Sequence, residues 1–404
     1  MYDALIVGAG PAGSFAAESL ARGGAKVALF DGRSPKEAKA CGGGVTSKAL
    51  KAWPHLLETA ARTVNKVEIH GSTGKHVALK LTEPIAIYSR CALDSHQCER
   101  ARKSGANVFT VGRISSIESD ESSRSWTVKA KSGEQWKGKF LIGADGANSA
   151  IARRLSGALP NSEMEVAFGY RAPLPKNGEA STVIAFLPNL AGYAWAFPRL
   201  DHVSFGIATS QNVFNHGALD QLLWDFMAGY YLTAGDKQSS IWATGKHSKS
   251  GELRLGVIEK LRPVADSYAA RIPGLSPETL ASRRAAGDGW ALLGDAAGFA
   301  DPVTGEGIYY AFRSAEILVE AFLSGRSSDY EVMWRDDFGR ELYRAAEMRR
   351  RFYGSLAGAP FTDRMINLAQ VHIGVRQTLR ELITGAQGYV DLKSVLARRA
   401  VWPL

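Results

Sequence analysis

The chain has 404 residues, too many for one ordinary core, so two packed domains are expected. Its 45% hydrophobic and 22% charged content excludes a disordered chain, and it holds no run of about twenty apolar residues that could cross a membrane as a helix. A net charge of +9 suits an anionic partner such as a phosphorylated substrate or a lipid headgroup surface; with no nucleic-acid motif beside it, nucleic acid is not expected.

In chain order, residues 2–7 read as an apolar strand, 11–22 as a helix of small residues, and 26–30 as a second strand ending at Asp31. That is a βαβ unit with a short crossover. The start shows no basic stretch, apolar run and small-residue cleavage site, so no leader is expected and the location expected is cytoplasmic. Residues 92–103 read as a helix and 107–111 as a buried strand; 113–140 alternate as an antiparallel excursion before the apolar 140–145. The middle is different: 166–171, 181–187, 193–197 and 202–208 are short strands separated by turn formers, with Val203, Phe205 and Ile207 on one apolar face. Helices are expected at 217–232 and 258–271. The α/β texture returns at 290–295, and helices at 329–353 and 361–384 follow.

The fold class expected is therefore α/β, with a doubly wound nucleotide-binding domain, an inserted antiparallel β-sheet domain that binds substrate, and a C-terminal helical region. The division is 1–62, 89–160 and 282–328 for the first, 63–88 and 161–281 for the second, and 329–404 for the third. Three cysteines, Cys41, Cys91 and Cys98, form no disulfide framework and no metal-ligand spacing, and no metal site is expected.

Gly8-Ala9-Gly10-Pro11-Ala12-Gly13 joins the first strand to the first helix. Gly8 permits a tight turn, Gly10 lets backbone approach a pyrophosphate, and Gly13 allows close helix–strand packing. The helix start, with Ala12, offers N–H groups and a positive dipole end to phosphate, and Asp31 is placed to accept from ribose hydroxyls. Dinucleotide binding follows, but not which dinucleotide. Far along the chain, Leu293-Gly294-Asp295-Ala296-Ala297-Gly298 runs on to Asp301-Pro302-Val303-Thr304-Gly305-Glu306-Gly307 and a helix from Ile308. Gly305 and Gly307 would free backbone amides there, at a second helix start.

The second motif resembles the GDA segment of FAD enzymes with the p-hydroxybenzoate hydroxylase type of fold, and this resemblance selects FAD, with Asp295 on the ribityl chain or pyrophosphate. Asp145 in Ile142-Gly143-Ala144-Asp145-Gly146 resembles the DG motif of that fold, and Arg90, four residues before Asp94, resembles its cofactor-contacting arginine. Tyr193-Ala194-Trp195-Ala196-Phe197-Pro198 resembles the YxWxFP motif of the geranylgeranyl reductase family, with Arg199 where Lys is common. Cys41-Gly42-Gly43-Gly44 is similar to that family's loop near the flavin.

What the resemblance implies is an FAD-dependent reductase that saturates isoprenoid carbon–carbon double bonds of a lipid, prenyl diphosphate, chlorophyll precursor or quinone. Gly42, Gly43 and Gly44 would then run against the ring, and Cys41 would deliver a proton or shape the cavity. Tyr193, Trp195 and Phe197 alternate along one strand and so share a face; they would form a substrate wall, with Phe205 counted as a further contact and Tyr193 and Trp195 also as catalytic. No second glycine fingerprint is present, so NAD(P)H visiting the flavin or reduced ferredoxin is the expected donor. Two rivals share these signals: an FAD-dependent monooxygenase of an aromatic or other small hydrophobic substrate, and a prenyl-binding escort protein without chemistry. The run Arg340, Arg344, Arg349-Arg350-Arg351 and the pair Arg398-Arg399 beside Trp402 suggest peripheral membrane contact, against the commoner reading of solvated helix faces.

Overall fold

Tyr2–Val7, Val27–Asp31, Asn107–Thr110, Gln135–Gly143 and Trp290–Leu292 pair in parallel, in the spatial order 290–292, 135–143, 2–7, 27–31, 107–110. The aliphatic runs of the inner strands are buried on both faces, as parallel strands between helices must be, while the edge strand Asn107–Thr110 is only partly covered. From Tyr2–Val7 the chain builds outward one way and later returns to build the other way, so the strand order reverses there. Such a reversal leaves a crevice at the carboxyl ends of the two adjoining strands, the usual ligand position in open α/β sheets. The excursion is confirmed: Ile114–Asp120 and Ser125–Ala130 add antiparallel to Gln135–Gly143. The computed structural model describes all residues except 33–38, 177–178, 189, 211–215, 235–240, 243–248, 357–358 and 402–404.

The chain forms two compact units, 1–39 with 90–164 and 271–347, and 40–89 with 165–270 and 348–404. Residues 40–62 and those beyond 347 thus fall in the second unit by contact, whereas the sequence reading places 40–62 with the first domain and keeps 329–404 apart.

The sheet of the second unit has the order 266–273, 164–173, 202–210, 192–198, 182–186, 61–70, 76–88, 44–45. One face packs Val203, Phe205 and Ile207 under the helices His216–Thr233 and Lys249–Leu261. The strand His202–Ser210 is buried on its other face too, so the expectation of a single apolar face fails: Ser204 and Gly206 pack there under Tyr268 and Trp195. The helix expected at 258–271 is also corrected. A helix ends at Leu261, and Asp266–Pro273 is a strand. Pro263 cannot continue the helical ladder, and alternation takes over after it. A last helix, Leu392–Val401, was not expected. No helix of the described residues is long and apolar enough to cross a membrane.

The hairpin of Ala61–His70 and His76–Tyr88 is covered by Phe361–Val371 and Ile373–Thr384, through Ile69, Val77 and Leu79 against Ile366, Ala369, Val375 and Leu379. One carboxylate fixes the register of this contact. Asp363 accepts from the amide and hydroxyl of Ser72 (3.3 and 2.6 Å) and of Thr73 (3.1 and 2.7 Å), and Gly71 leaves the space the carboxylate fills. Burial pushes the Asp363 carboxyl up, but these four bonds outweigh it and hold it below its ordinary value. Asp363→Ala should cost about 3 kcal/mol in chemical denaturation, the scale of lost hydrogen bonds to a buried charge. Because the folded-state value is depressed, this stability is present at neutral pH and lost as pH falls through that value; Asp363→Asn should flatten the acid limb of the stability profile.

Candidate functional site

The first unit assembles a cradle from two helix starts. Helix α1 (Pro11–Arg22) follows the strand Tyr2–Val7, and helix α2 (Ile308–Leu323) follows the second glycine motif. Gly8 has φ of 107° and donates its amide to Phe30 O at 2.9 Å; a side chain there would fall on the Ala144 carbonyl. At Gly13 a side chain would fall on the Gly8 carbonyl. Gly10 differs. Its φ is −78° and a β-carbon would meet no atom within 4 Å, so neither backbone nor packing demands glycine. What Gly10 preserves is access to the open side of the turn, which fits close approach by a pyrophosphate.

The helices run side by side in the same direction. Gly294 sits between their first turns, with its missing β-carbon 3.3 Å from Ala311 Cβ and 3.6 Å from Ala12 Cβ. Phe15 meets Phe312 edge-on at 5.3 Å, and near the far ends Gly23 lies against Leu323. Both amino termini therefore point to one place, each carrying roughly half a positive charge from its first-turn amides. That is an anion site with two donors of field. Asp295 marks its edge: a β-carbon at Gly307 would stand 2.9 Å from Asp295 Oδ1, so glycine is needed there for the carboxylate to lie against the start of α2. Lys39 Nζ is 3.7 Å from the other oxygen. Asp31 ends the strand Val27–Asp31, half-buried, and Ile308 is the first residue of α2.

Three assignments change in detail. The Gly305 amide is not free, because it donates to Asp301 O at 2.8 Å within a turn that Asp301 Oδ1 closes on the amides of Val303 and Thr304. Asp145 turns inward to cap the helix Ala150–Leu155, accepting from Ser149 Oγ and from the Ala150 amide at 2.7 Å; burial nevertheless raises its carboxyl above the ordinary value. Arg90 is buried and closes on Asp94 with bonds of 2.9 to 3.1 Å, so its charge is matched within its own helix.

The second unit brings the aromatic strip and the cysteine loop together. Tyr193, Trp195 and Phe197 share one face, with ring centroids 5.9 and 6.4 Å apart along the strip. Gly206 makes room for the Trp195 indole, while Gly42 and Gly44 back onto Phe197; a β-carbon at Gly42 would be 3.2 Å from Trp195 Nε1. Gly43 takes φ of 84°, and a side chain there would strike the Tyr88 carbonyl. Its amide donates to Cys41 Sγ at 3.3 Å, which sets the thiol's direction. Phe205 does not belong to this group. Strand alternation sends it to the opposite face, fully buried against Phe226 and Tyr230.

Two residues that sequence reasoning did not place in the site stand beside it. Arg199, 6% exposed, donates from Nη2 to Cys41 O at 2.7 Å, and burial pulls its guanidinium below the usual value. The period of two that aligns 193, 195 and 197 continues to 199, so this signal was available. Tyr268 donates to Phe205 O at 2.7 Å and meets Ser204 Oγ at 2.8 Å, with Arg171 5.1 Å over its ring. Burial pushes its hydroxyl up to about 12, so it stays protonated at ordinary pH. It was hidden by the helix expected at 258–271.

The sequence profile of the FAD binding domain family matches residues 1–172. The geranylgeranyl diphosphate reductase of Synechocystis sp. is 30% identical over 351 residues, 81% of this chain and 76% of that protein. The digeranylgeranylglycerophospholipid reductase 2 of Methanothermobacter thermautotrophicus is 28% identical, covering 86% and 87% of the two chains. Among solved structures, a geranylgeranyl bacteriochlorophyll reductase-like protein of Thermoplasma acidophilum superposes with a TM-score of 0.70 over 98% of this chain and 99% of its own, at 21% identity; at that identity the likeness shows the fold.

The glycine geometry separates binding from folding. Gly10→Ala should leave the melting temperature of flavin-free protein unchanged while lowering FAD affinity tenfold or more, an order-of-magnitude expectation for blocked pyrophosphate approach. Gly13→Ala should instead cost about 1–3 kcal/mol of fold stability by overpacking. Thermal melts of the flavin-free protein and titration with FAD distinguish them.

Proposed function

We infer the function from one premise: this chain belongs to the geranylgeranyl reductase family of FAD-dependent oxidoreductases, which act on carbon–carbon double bonds. On that basis the substrate proposed is a polyprenyl chain carried by a lipid headgroup, and the reaction is saturation of its double bonds. The observation that carries this reading is the strip Tyr193, Trp195 and Phe197 closed by the Cys41–Gly44 loop. An unactivated alkene has no charge to grip, so catalysis has to come from position in a dry apolar slot. Three aromatic rings on one strand face supply such a wall.

FAD, when bound, supplies the two electrons of the reduction. The chain's own residues do the rest. Gly8, Gly10 and Gly13 with the starts of α1 and α2 would hold the diphosphate, and Asp31 the ribose hydroxyls. Asp295 and Gly307 would flank the flavin end, and Gly42 to Gly44 leave backbone free of side chains beside the rings. Cys41 is the proposed proton donor to the second alkene carbon, its Sγ directed by the Gly43 amide and its carbonyl held by Arg199. NAD(P)H or reduced ferredoxin is the proposed source of electrons.

The test is an anaerobic assay of dithionite-reduced enzyme with a geranylgeranyl lipid, read by mass spectrometry for hydrogen added to the chain. Cys41→Ala should slow saturation by about 10²-fold, the lower range for loss of a proton donor, and Trp195→Ala should raise KM and slow turnover, both with FAD content unchanged. Wild-type rates in both variants would remove these residues from the reaction. Oxygen-dependent hydroxylation with no anaerobic saturation would replace the reading with a monooxygenase. Stopped-flow bleaching of the flavin by NADPH, NADH or reduced ferredoxin identifies the donor.

A further inference from the structure

Three of the basic residues suggested by sequence for a membrane surface are committed elsewhere. Arg349 bonds Glu165 and, at 3.0 Å, Ser210; Arg399 pairs with Glu381 at 2.7 Å, and Arg344 with Glu347 at 2.7 Å. Trp402 lies outside the described residues. A different surface has the right chemistry.

The helices Phe361–Val371 and Ile373–Thr384 each bury one side on the hairpin, through Ile366 and Ala369 and through Val375 and Leu379. At 100° per residue, the side opposite holds Arg364, Leu368 and Val371 on the first helix and Ile373 and Arg380 on the second, with Arg376 on the flank. Since both helices lie on the same sheet patch, these two sides form one outer surface. Its apolar members are unusually open: Leu368 is 48% exposed, Val371 82% and Ile373 61%. Val371 and Ile373 flank the single residue that joins the helices, so they stand at the corner of the helical pair.

Both acidic side chains of these two helices are engaged. Asp363 and Glu381 are the acidic residues of these helices; the first is turned in to Ser72 and Thr73, the second is paired with Arg399 and Gln377. Arg376 folds over the end of the first helix, donating to the carbonyls of Ala369 (2.7 Å) and Gln370 (2.5 Å), which fixes its charge at the corner without neutralising it. Three aliphatic side chains are far too few for a stable protein interface, which needs about 1,000 Å². They are enough to enter a headgroup layer when cations around them bind its phosphates.

We propose that this corner, Leu368, Val371 and Ile373 within the ring of Arg364, Arg376 and Arg380, docks the protein on an anionic phospholipid bilayer. It goes beyond the catalytic reading and does not need it, because binding is measured without turnover.

The experiment is co-sedimentation of the full-length flavoprotein with vesicles of phosphatidylcholine alone and of phosphatidylcholine mixed with phosphatidylglycerol. Wild type should bind the mixed vesicles, and added salt should weaken it. V371D/I373D should bind about tenfold less, from lost apolar insertion. R364Q/R380Q should lose binding to the mixed vesicles only, about fivefold for each charge removed. Flavin absorbance and melting temperature confirm folding; should the aspartates disturb it, V371S/I373S replaces them. Equal binding by wild type and V371D/I373D overturns the proposal, as does wild type that stays in the supernatant with every vesicle. A wild-type dimer that V371D/I373D converts to monomer in light scattering also overturns it, and assigns the corner to a second copy of the chain. Alkene saturation of a detergent-dispersed substrate by V371D/I373D at the wild-type rate shows the two readings to be separate; failure of saturation in wild type leaves the vesicle result standing.

Discussion

Two helices drawn from opposite ends of the first unit's sequence run parallel, and that direction is the constraint on which the cofactor half depends. Packed antiparallel, as neighbours joined by a short loop would be, their end charges would cancel at each end. Packed parallel, with Ala12 and Ala311 both at Gly294 and Phe15 on Phe312, they place two positive ends at one spot. The parallel sheet imposes this, because each helix follows a strand that enters from the same side. The anion site is thus a consequence of topology before it is one of side chains. The glycines then divide the work: Gly8 and Gly13 permit the packing, while Gly10 keeps backbone accessible.

The second unit answers a different physical problem, that of a substrate with nothing to hold. Its sheet turns one face into a closed core with Phe205 at the centre and the other into a strip of rings under a glycine loop. Holding that loop is a buried arginine whose partner is a carbonyl, Cys41 O. A guanidinium kept charged inside protein is costly, and its fork grips a loop in a way that a flexible ammonium does not. Tyr268 and Ser204 line the same side as hydroxyls, and burial keeps that of Tyr268 protonated at ordinary pH.

Where reading by pattern failed, the reason is local. The turn 301–306 looks in sequence like a source of free amides, yet the Asp301 side chain and carbonyl take up those of Val303, Thr304 and Gly305. Aspartate satisfies nearby amides wherever a turn lets it, and Asp145 does the same at its own helix. Arg90 has its acid four residues on, one helical turn away, and the helical reading of 92–103 left Arg90 itself just outside the element. Phe205 is counted with the strip in the sequence reading, but adjacent strands in register put Phe205 beside Ala196, between Trp195 and Phe197, and so on the other face.

The amino-acid sequence by itself determined the strand–glycine–helix unit, its second glycine motif, the aromatic alternation and the identity of the family, because each is a short-range pattern whose meaning depends on residues a few positions apart. Tertiary structure alone decided that α1 and α2 run parallel to one point, that Arg199 and Tyr268 join the cysteine loop, that Asp363 ties the last helices to the hairpin, and which hydrophobic residues stay outside. Those relations join residues up to about three hundred positions apart, and no periodicity encodes them. They are fixed by which faces the sheets leave to be covered and by which buried charges find a partner there.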